Sequence, residues 1–289
     1  MNNTVLVTGA TGNIGSLVIP ELVKRGVSVR AYVRDTAKAS LLRAQGVTLF
    51  EGDFSDQQGL NRAAAGVDAV LAITPANPKA VEQGEVILKA ALNAGTPYYL
   101  RLSAIGAAPD APTANGRLHY QSDQALMASG LPFTILRPHF FMQNLFASVE
   151  TIRADGNLYW GMGDGKLGMI DIRNIADCCV SLLLHGGHEG KIYTPTGPAS
   201  ISFHEIAGII SKSLDKPVKY IPISLEAVGA ALREAKWNEW SIQLMMDYAS
   251  AYAAGWGDFV NDDVETITGQ PPHSFAQFND EILSRALKN

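Results

Sequence analysis

The first candidate ligand-binding residues are three glycines, Gly9, Gly12 and Gly15. They follow the apolar run Thr4–Val7 and precede a helical pattern. Such a context suits a tight turn from strand to helix, where the backbone approaches a diphosphate and the free N–H groups of the helix face it. We therefore predict dinucleotide binding, and a glycine turn with only a structural role is the alternative. The predicted contacts in this segment are Gly9, Thr11, Gly12, Asn13, Ile14 and Gly15.

A basic residue at the end of the second predicted strand bears on which dinucleotide is bound. The strand predicted over residues 27–33 runs into Arg34. An acid at this position binds the ribose 2′-hydroxyl of NAD, whereas an arginine accepts the 2′-phosphate of NADP. Arg34 therefore favours NADP(H), with Lys38 one helical turn later as a second cationic candidate. A solvated charge at a strand end is the alternative interpretation.

The ends of later predicted strands carry further candidate contacts. Asp53 and Phe54 follow the third strand, where an acid can accept a hydrogen bond from adenine and an aromatic ring can cover it. Thr74 and Pro75 end the fourth strand, which we expect beside the glycine turn and near the ribose and nicotinamide. Ser103 ends the fifth strand, and it either contacts ribose or substrate or simply ends the strand.

The candidate proton donors are His119 and Tyr120, on a helix predicted over residues 118–129. Each side chain either contacts the substrate or nicotinamide, or packs on the helix face. The remaining histidines form no ligand-like cluster, so we predict no metal.

These candidates are positioned by strands that alternate with helices. Strands are predicted at Thr4–Val7, 27–33, 47–51, 67–73, Tyr98–Leu102 and Phe133–Leu136. This rhythm predicts an α/β fold with a doubly wound parallel sheet of the Rossmann type, covered by helices on both faces. The rhythm changes near residue 141 to short strands and helices. We therefore predict a dinucleotide-binding domain at residues 1–150 and a smaller α+β substrate-binding lobe at residues 151–289, packed on the first with some exchange of chain.

The composition excludes several classes of protein. Hydrophobic residues make up 47% and charged residues 18% of the 289 residues, which is typical of a globular protein. A net charge of −5 argues against direct binding of nucleic acid. We see no apolar run long enough to span a bilayer. The two cysteines, Cys178 and Cys179, are adjacent and predicted to be reduced, which favours the cytoplasm. We expect a monomer or a homodimer.

Aromatic residues recur at helical spacing near the C-terminus. Trp240, Leu244, Tyr248 and Tyr252 lie four residues apart, and Trp237 precedes them by one turn. The helix either buries this stripe in the core or uses it to cover a planar aromatic substrate. On the second interpretation, the substrate contacts are Phe140, Phe141, Trp237, Trp240 and Tyr248.

Taken together, the motifs resemble the NmrA-like family of atypical short-chain dehydrogenases/reductases, which includes NADPH:quinone oxidoreductases, triphenylmethane reductase and NADP-sensing regulators. The motifs that carry the resemblance are Thr8–Gly15, Val33-Arg34, Gly52-Asp53, residues 129–138 with residues 141–144, residues 188–197 and residues 218–222. The resemblance implies NADP(H) as the cofactor. It also adds Pro138 and Phe141 as candidate cofactor contacts.

The sequence departs from the wider superfamily in its catalytic helix. Short-chain dehydrogenases carry a Tyr-x-x-x-Lys pair, but here Tyr120 is followed four residues later by Gln124. Aligning Asp123 with the acid often found on that helix puts His119 at the lysine position and Asn115 at the tyrosine position. A phenol activated by lysine is therefore missing. Hydride transfer to a quinone tolerates this, because the negative charge of the reduced quinone is delocalised and its oxygen can take a proton from water or a weak donor.

We therefore expect an NADPH-dependent reductase of a small aromatic or quinone-like acceptor, or of another electron-poor carbonyl compound. The rival hypothesis is a regulatory protein that senses redox state through bound NADP and catalyses nothing. A sugar-nucleotide epimerase is disfavoured because it needs the tyrosine and lysine pair.

Overall fold

A computed structural model describes residues 3–288 of the chain. The chain forms two compact units, each built from separate segments. The first unit is Met1–Pro109, Asn115–Arg137 and Ile175–Tyr193, and the second is Asp110–Ala114, Pro138–Asn174 and Thr194–Asn289. The passage into the second unit after Arg137 precedes the boundary predicted at residue 150. The assignment of cofactor and substrate binding to the two parts stays a prediction.

Eleven strands are formed within residues 3–288. In chain order they are β1 (Thr4–Val7), β2 (Ser28–Val33), β3 (Thr48–Glu51), β4 (Ala69–Ile73), β5 (Tyr98–Leu102), β6 (Phe133–Leu136), β7 (Asn157–Trp160), β8 (Lys166–Leu167), β9 (Lys191–Tyr193), β10 (Ile201–Ser202) and β11 (Lys219–Pro222).

The same residues form thirteen α-helices. They are α1 (Gly15–Lys24), α2 (Ser40–Ala44), α3 (Gln57–Ala64), α4 (Ala80–Ala94), α5 (Ala114–Met127), α6 (Val149–Asp155), α7 (Ile172–Leu184), α8 (Phe203–Leu214), α9 (Leu225–Glu234), α10 (Glu239–Ala253), α11 (Asp263–Thr268), α12 (Phe275–Phe278) and α13 (Ser284–Lys288). Two 3-10 segments, Ala37–Ala39 and Met142–Ser148, and a π-helical turn, Asn279–Leu283, complete the helical structure.

The first unit contains a seven-stranded parallel sheet in the order β3-β2-β1-β4-β5-β6-β9. The order reverses between β1 and β4, which is the topological switch point where ligands bind in doubly wound sheets. The predicted Rossmann fold is confirmed. Strands β1 and β4 are almost wholly buried because their residues are apolar on both faces.

One core layer of the first unit lies where helices α3, α4 and α5 pack on the sheet. Leu6 and Val70 come from the strands, and Leu60, Ile87 and Leu126 come from the three helices. All five side chains are buried. This apolar layer fixes the strands whose carboxyl ends carry the predicted cofactor contacts.

The second unit has two small sheets. Strands β8 and β10 pair antiparallel, and β7 and β11 pair parallel. Its core includes Leu158, Phe203 and Phe278. Helix α8 begins at a capping box, in which the Ser202 hydroxyl accepts the N–H of Glu205 and the Glu205 carboxylate accepts the N–H of Ser202.

Three elements differ from the sequence-based expectation. The helix predicted over residues 36–45 is only a 3-10 turn followed by α2. Helix α5 begins at Ala114, earlier than predicted, because the Asp247 carboxylate accepts the Ala114 N–H (2.9 Å). The strand predicted over residues 167–170 ends at Leu167, and Ile170 instead forms an isolated bridge with Phe141. Within residues 3–288, no helix combines the length and apolar character that a bilayer span requires.

Candidate active site

The glycine turn after β1 is packed too tightly for side chains. Gly9 has φ of +62°, and a Cβ there would lie 2.9 Å from the Ile73 Cβ. A Cβ on Gly15 would lie 2.5 Å from the Gly9 carbonyl oxygen, to which Gly12 donates its N–H (3.0 Å). Helix α1 starts here with no side-chain cap and no acid in its first turn. The positive end of the helix is therefore left to an anion.

Two threonines mark the switch point between β1 and β4. The buried Thr8 hydroxyl donates to the Ile73 carbonyl (3.0 Å) and accepts the Ile73 N–H (2.8 Å), which joins the ends of the two strands. The next residue, Thr74, has a buried hydroxyl oxygen with no hydrogen-bond partner among the described residues. A buried hydroxyl without a partner is costly, so this position fits a ligand group. Pro75 follows and is exposed.

The predicted cationic pair lies after β2. Arg34 and Lys38 are both exposed. Lys38 lies 3.7 Å from an Asp35 carboxylate oxygen, while no ion pair to Arg34 is formed within residues 3–288. Asp35 therefore offsets the charge of Lys38, and Arg34 is the better placed of the two to bind a phosphate.

The segment after β3 is ordered by hydrogen bonds and ring packing. One Asp53 carboxylate oxygen accepts the Ser55 N–H (2.7 Å) and the Ser55 hydroxyl (2.5 Å), which lowers the pKa of Asp53. The Phe54 ring stacks with Tyr32 at 6.4 Å between centroids. A Cβ on Gly52 would lie 2.0 Å from the Tyr32 hydroxyl oxygen, so glycine is required there.

A buried carboxylate collects three donors at the ends of β5 and β6. Asp123, on α5, is fully buried. Its oxygens accept hydrogen bonds from Arg101 Nε (2.8 Å), Ser103 Oγ (2.8 Å) and Arg137 Nε (3.0 Å). The Ser103 hydroxyl proton is thus held by Asp123, and the oxygen lone pairs remain for a ligand.

His119 is buried beside this carboxylate and is neutral. Its Nδ1 lies 3.3 Å from Arg101 Nη2, and a guanidinium only donates. Nδ1 therefore accepts, and the proton sits on Nε2. Burial, together with the charges of Arg101 and Arg137, lowers the pKa of His119 to about 3. At neutral pH the ring is a hydrogen-bond donor and not a proton-delivering acid. Tyr120 is half-buried on the same helix.

The two arginines of this network, Arg101 and Arg137, were not predicted. The motif on α5 matches Asp123 to the acid of the catalytic helix but does not indicate which cations neutralise it. One signal was present, because Arg101 interrupts the apolar strand Tyr98–Leu102 and a buried arginine needs a carboxylate partner. The position of Arg137 indicates a carboxylate partner less strongly, because a charged residue directly after a strand is often solvated.

The second unit contains the predicted residues that follow β6. Pro138 is buried, and Phe141 is half-buried. The Phe140 ring is buried in the core and meets Trp160 and Tyr252 edge-on, each at 5.7 Å between centroids. Phe140 is therefore held in place by packing inside this unit.

The aromatic stripe of α10 divides into two parts. Tyr252 is buried and stacks on Tyr248 at 5.8 Å, and both rings also contact Trp256. Trp240 is half-buried and Trp237 is 48% exposed. Tyr248 packs against the core through its stacking on Tyr252. Within the described residues, neither Trp237 nor Trp240 contacts another aromatic ring.

The residues of the first unit fit a dinucleotide. The glycine cradle excludes side chains, the Thr74 hydroxyl lacks a partner, and Arg34 is free of ion pairs within residues 3–288. A metal is not indicated in this part of the chain, because residues 3–288 contain no group of three or more His, Cys, Asp or Glu residues suited to hold one. Cys178 and Cys179 are buried, and they form no disulfide within residues 3–288.

Comparison with known proteins identifies the family. Residues 1–256 match the model of the NmrA-like family. An NAD(P)H azoreductase of Xenophilus azovorans is 38% identical over 278 residues, which cover 95% of this chain and 96% of the relative. An NADPH-dependent quinone oxidoreductase of Escherichia coli, solved with NADPH, has a TM-score of 0.89 and 26% identity, covering 96% of this chain and 99% of its own.

Triphenylmethane reductase of Citrobacter sp. has a similar structure, with a TM-score of 0.87 and 27% identity over 99% of this chain and 100% of its own. These similarities extend over both compact units and include the glycine turn that the sequence analysis started from. The resemblance seen in the motifs is thereby confirmed. The chain belongs to the NmrA-like family.

Proposed function

We propose that this protein is an NADPH-dependent reductase that transfers hydride to a quinone-like or other electron-poor aromatic or carbonyl acceptor. Its general class is an NAD(P)H-dependent oxidoreductase with NADP(H) as cofactor, as the sequence predicts. The similar proteins are named for azo, quinone and triphenylmethane dye reduction. Azo, quinone and triphenylmethane acceptors are all conjugated and electron-poor, which supports an acceptor of this kind.

One observation carries the proposal beyond the general class. The helix that bears a tyrosine and lysine pair in the wider superfamily here bears a buried, neutral His119 and no lysine. A simple ketone needs a positioned acid for its developing alkoxide. An electron-poor conjugated acceptor delocalises that charge and does not need one. The local chemistry therefore favours the second class of acceptor.

The chain's own residues would bind and orient the reactants. The glycine turn would hold the diphosphate, Arg34 the 2′-phosphate, Asp53 and Phe54 the adenine, and Thr74 a group near the ribose. When bound, NADPH supplies the hydride. Ser103 offers an oxygen acceptor and His119 an Nε2–H donor at the carboxyl edge of the sheet. These two groups would position the reactants, while water delivers the proton.

The test is NADPH oxidation by the purified protein with quinones, azo dyes and simple ketones. We expect turnover of at least one quinone or azo dye well above the uncatalysed rate. Tight NADPH binding with no turnover would instead favour the regulatory sensor.

Two variants sharpen this test. Tyr120→Phe should keep most quinone turnover, whereas any ketone turnover should fall about 10²-fold, the usual contribution of a general acid. His119→Ala should mainly raise KM. Tyr159→Phe, at a half-buried tyrosine that donates a hydrogen bond to Asp155, is the matched control and should change neither activity nor KM. Loss of quinone reduction in Tyr120→Phe with cofactor binding intact would show that a general acid is needed after all.

A further inference from the structure

The buried network around Asp123 contains more positive than negative charge. Two guanidinium groups, Arg101 and Arg137, share the single carboxylate of Asp123. His119 adds no charge, because it is neutral and accepts from Arg101. Neither arginine pairs with another carboxylate within residues 3–288. Buried charges are normally paired, so a surplus of positive charge in this position favours the binding of an anion.

The surplus charge lies on the arginine nearer to solvent. The Arg101 side chain is 3% exposed, and its Nε and Nη2 are used by Asp123 and His119. The Arg137 side chain is 17% exposed. Its Nε and Nη2 both meet the same oxygen of Asp123, at 3.0 Å each, so Nη1 is left without a partner among the described residues.

Arg137 also lies at the edge of the sheet where ligands are expected. It directly follows β6, and its backbone N–H donates to the Tyr193 carbonyl in β9 (2.8 Å). Ser103, at the end of the neighbouring β5, donates its N–H to the Leu136 carbonyl (2.7 Å). The carboxyl ends of parallel strands border the ligand crevice in doubly wound sheets.

We propose that Arg137 provides the positive charge that stabilises the anion formed on the acceptor during hydride transfer. This inference rests on the proposed function. In the wider superfamily the cation on the catalytic helix is a lysine, and here a cation is supplied from the end of a strand instead. Asp123 and Arg101 hold Arg137 in place, while His119 and Ser103 provide neutral polar groups around it.

The chemistry produces a negative charge that such a cation can stabilise. When a quinone accepts hydride, it gains two electrons and one hydrogen nucleus, and NADPH is oxidised to NADP⁺. One new bond to hydrogen forms on the quinone while a C–H bond of the dihydronicotinamide breaks, the π electrons of the conjugated carbonyls move onto oxygen, and that oxygen becomes negative. A proton from water then gives the neutral hydroquinone. The negative charge is greatest between these two steps, when a fixed cation in a water-poor site is most effective.

The kinetic test compares Arg137→Gln with Arg137→Lys, using neutral quinones and saturating NADPH. We expect Arg137→Gln to lower kcat about 10²-fold, the usual effect of removing one charge-stabilising donor, with KM changed less than about 3-fold. Arg137→Lys keeps the charge and should stay within about 10-fold of the wild type.

A matched control is Arg30→Gln. Arg30 is a half-buried arginine of β2 that donates to the carbonyls of Ala63 (2.9 Å) and Ala65 (2.7 Å). The variant Arg30→Gln should lower the melting temperature without lowering kcat. Equal loss of kcat in Arg30→Gln and Arg137→Gln would assign both effects to general destabilisation and overturn the proposal, as would an unchanged kcat in Arg137→Gln.

A binding measurement tests the same charge without turnover. The wild-type protein with NADP⁺ is titrated with 2-hydroxy-1,4-naphthoquinone, which is an anion at pH 7.5, and with its neutral methyl ether. We expect the anion to bind at least about 10-fold more tightly, and Arg137→Lys to retain most of that preference. Equal affinities, or tighter binding of the ether, would overturn the proposal even if Arg137→Gln fails to fold.

The two proposals fail separately. If the wild type reduces no acceptor but prefers the anion, the proposed function is wrong and Arg137 is an anion-binding residue. If it reduces quinones without a preference for the anion, the proposed function stands and the role of Arg137 is wrong.

Discussion

Each compact unit contains a buried histidine that is kept neutral, and the two are held in different ways. In the first unit, His119 Nδ1 accepts from Arg101 Nη2. In the second, His139 Nδ1 accepts the N–H of Phe140 (2.7 Å), and its Nε2 donates to the Gly257 carbonyl (3.0 Å). Burial lowers the pKa of both rings, and for His119 the two arginines of its network lower it further.

The difference separates a histidine used by the fold from one available for function. Both nitrogens of His139 are bonded to backbone, and its ring lies against Tyr252 (5.8 Å) and Phe259 (5.2 Å). His119 has a partner only at Nδ1 within the described residues, and it adjoins a surplus of positive charge. Burial and a shifted pKa are therefore shared by both sites. What distinguishes His119 is its Nε2–H, which has no hydrogen-bond partner among the described residues.

The largest expected effect is the loss of stability when His139 is removed. His139→Ala would leave a cavity between aromatic rings and two backbone groups without partners, and we expect a loss of about 3–5 kcal/mol. His119→Ala should cost less, about 1–3 kcal/mol, because only one hydrogen bond is lost. The free energies of unfolding can be compared by urea denaturation. A greater loss in His119→Ala would reverse the comparison.

The cofactor side of the first unit should show the opposite behaviour, with large effects on binding and small ones on stability. Arg34→Ala removes a charge-assisted contact with the 2′-phosphate worth about 1.5–3 kcal/mol, so NADPH affinity should fall about 10- to 150-fold. NADH affinity should be almost unchanged. Calorimetric titration of both cofactors measures this, and Arg43→Ala, at another exposed arginine, is the control. Equal affinities of the wild type for NADPH and NADH would show that Arg34 does not select the cofactor.

Both histidines should make stability depend on pH in the same direction. Their pKa values in the folded chain, about 3 for His119 and about 4 for His139, lie below the value of about 6.5 in the unfolded chain. The unfolded chain therefore binds more protons below pH 6.5, and stability falls as the pH falls. Each histidine should lower the free energy of unfolding by about 2 kcal/mol between pH 7 and pH 5.

The two contributions can be separated by variants. His139→Gln should lose about half of this pH dependence, whereas His185→Gln, at an exposed histidine, should keep all of it. A free energy of unfolding that stays constant between pH 7 and pH 5 would mean that neither buried ring resists protonation.

The sequence predicted those parts of the fold that local patterns determine. Strands β1, β5 and β6 have the predicted bounds, because short apolar runs with glycine or proline nearby specify them locally. The glycine turn was predictable for the same reason. Its steric requirement arises within one strand, one turn and one helix.

The parts that could not be predicted depend on partners distant in sequence. Helix α5 starts at Ala114 because Asp247, 133 residues away, accepts its first N–H. The state of His119 depends on Arg101 in β5, and the role of Asp123 depends on the end of β6. The aromatic stripe of α10 had two valid interpretations, and tertiary packing divided it between core and surface. Periodicity alone does not contain that information.

The smallest expected effect on stability is at Trp237, the most exposed of the predicted substrate contacts. It follows α9, and its backbone N–H donates to the Leu232 carbonyl (3.0 Å), a bond that any residue keeps. Trp237→Ala should therefore change the free energy of unfolding by less than about 0.5 kcal/mol. Tyr248→Ala should cost more, because Tyr248 stacks on the buried Tyr252.

The same variant tests whether an exposed ring of the second unit binds the acceptor. If Trp237 covers a planar acceptor, its loss should raise KM about 2- to 10-fold, the usual range for one aromatic contact, and leave kcat unchanged. Leu41→Ala, at an exposed apolar residue of the first unit, is the control and should change neither constant. An unchanged KM in Trp237→Ala would remove Trp237 from the substrate site. The predicted acceptor contacts of the aromatic stripe would then be reduced to Trp240 and Tyr248, which both lie on α10.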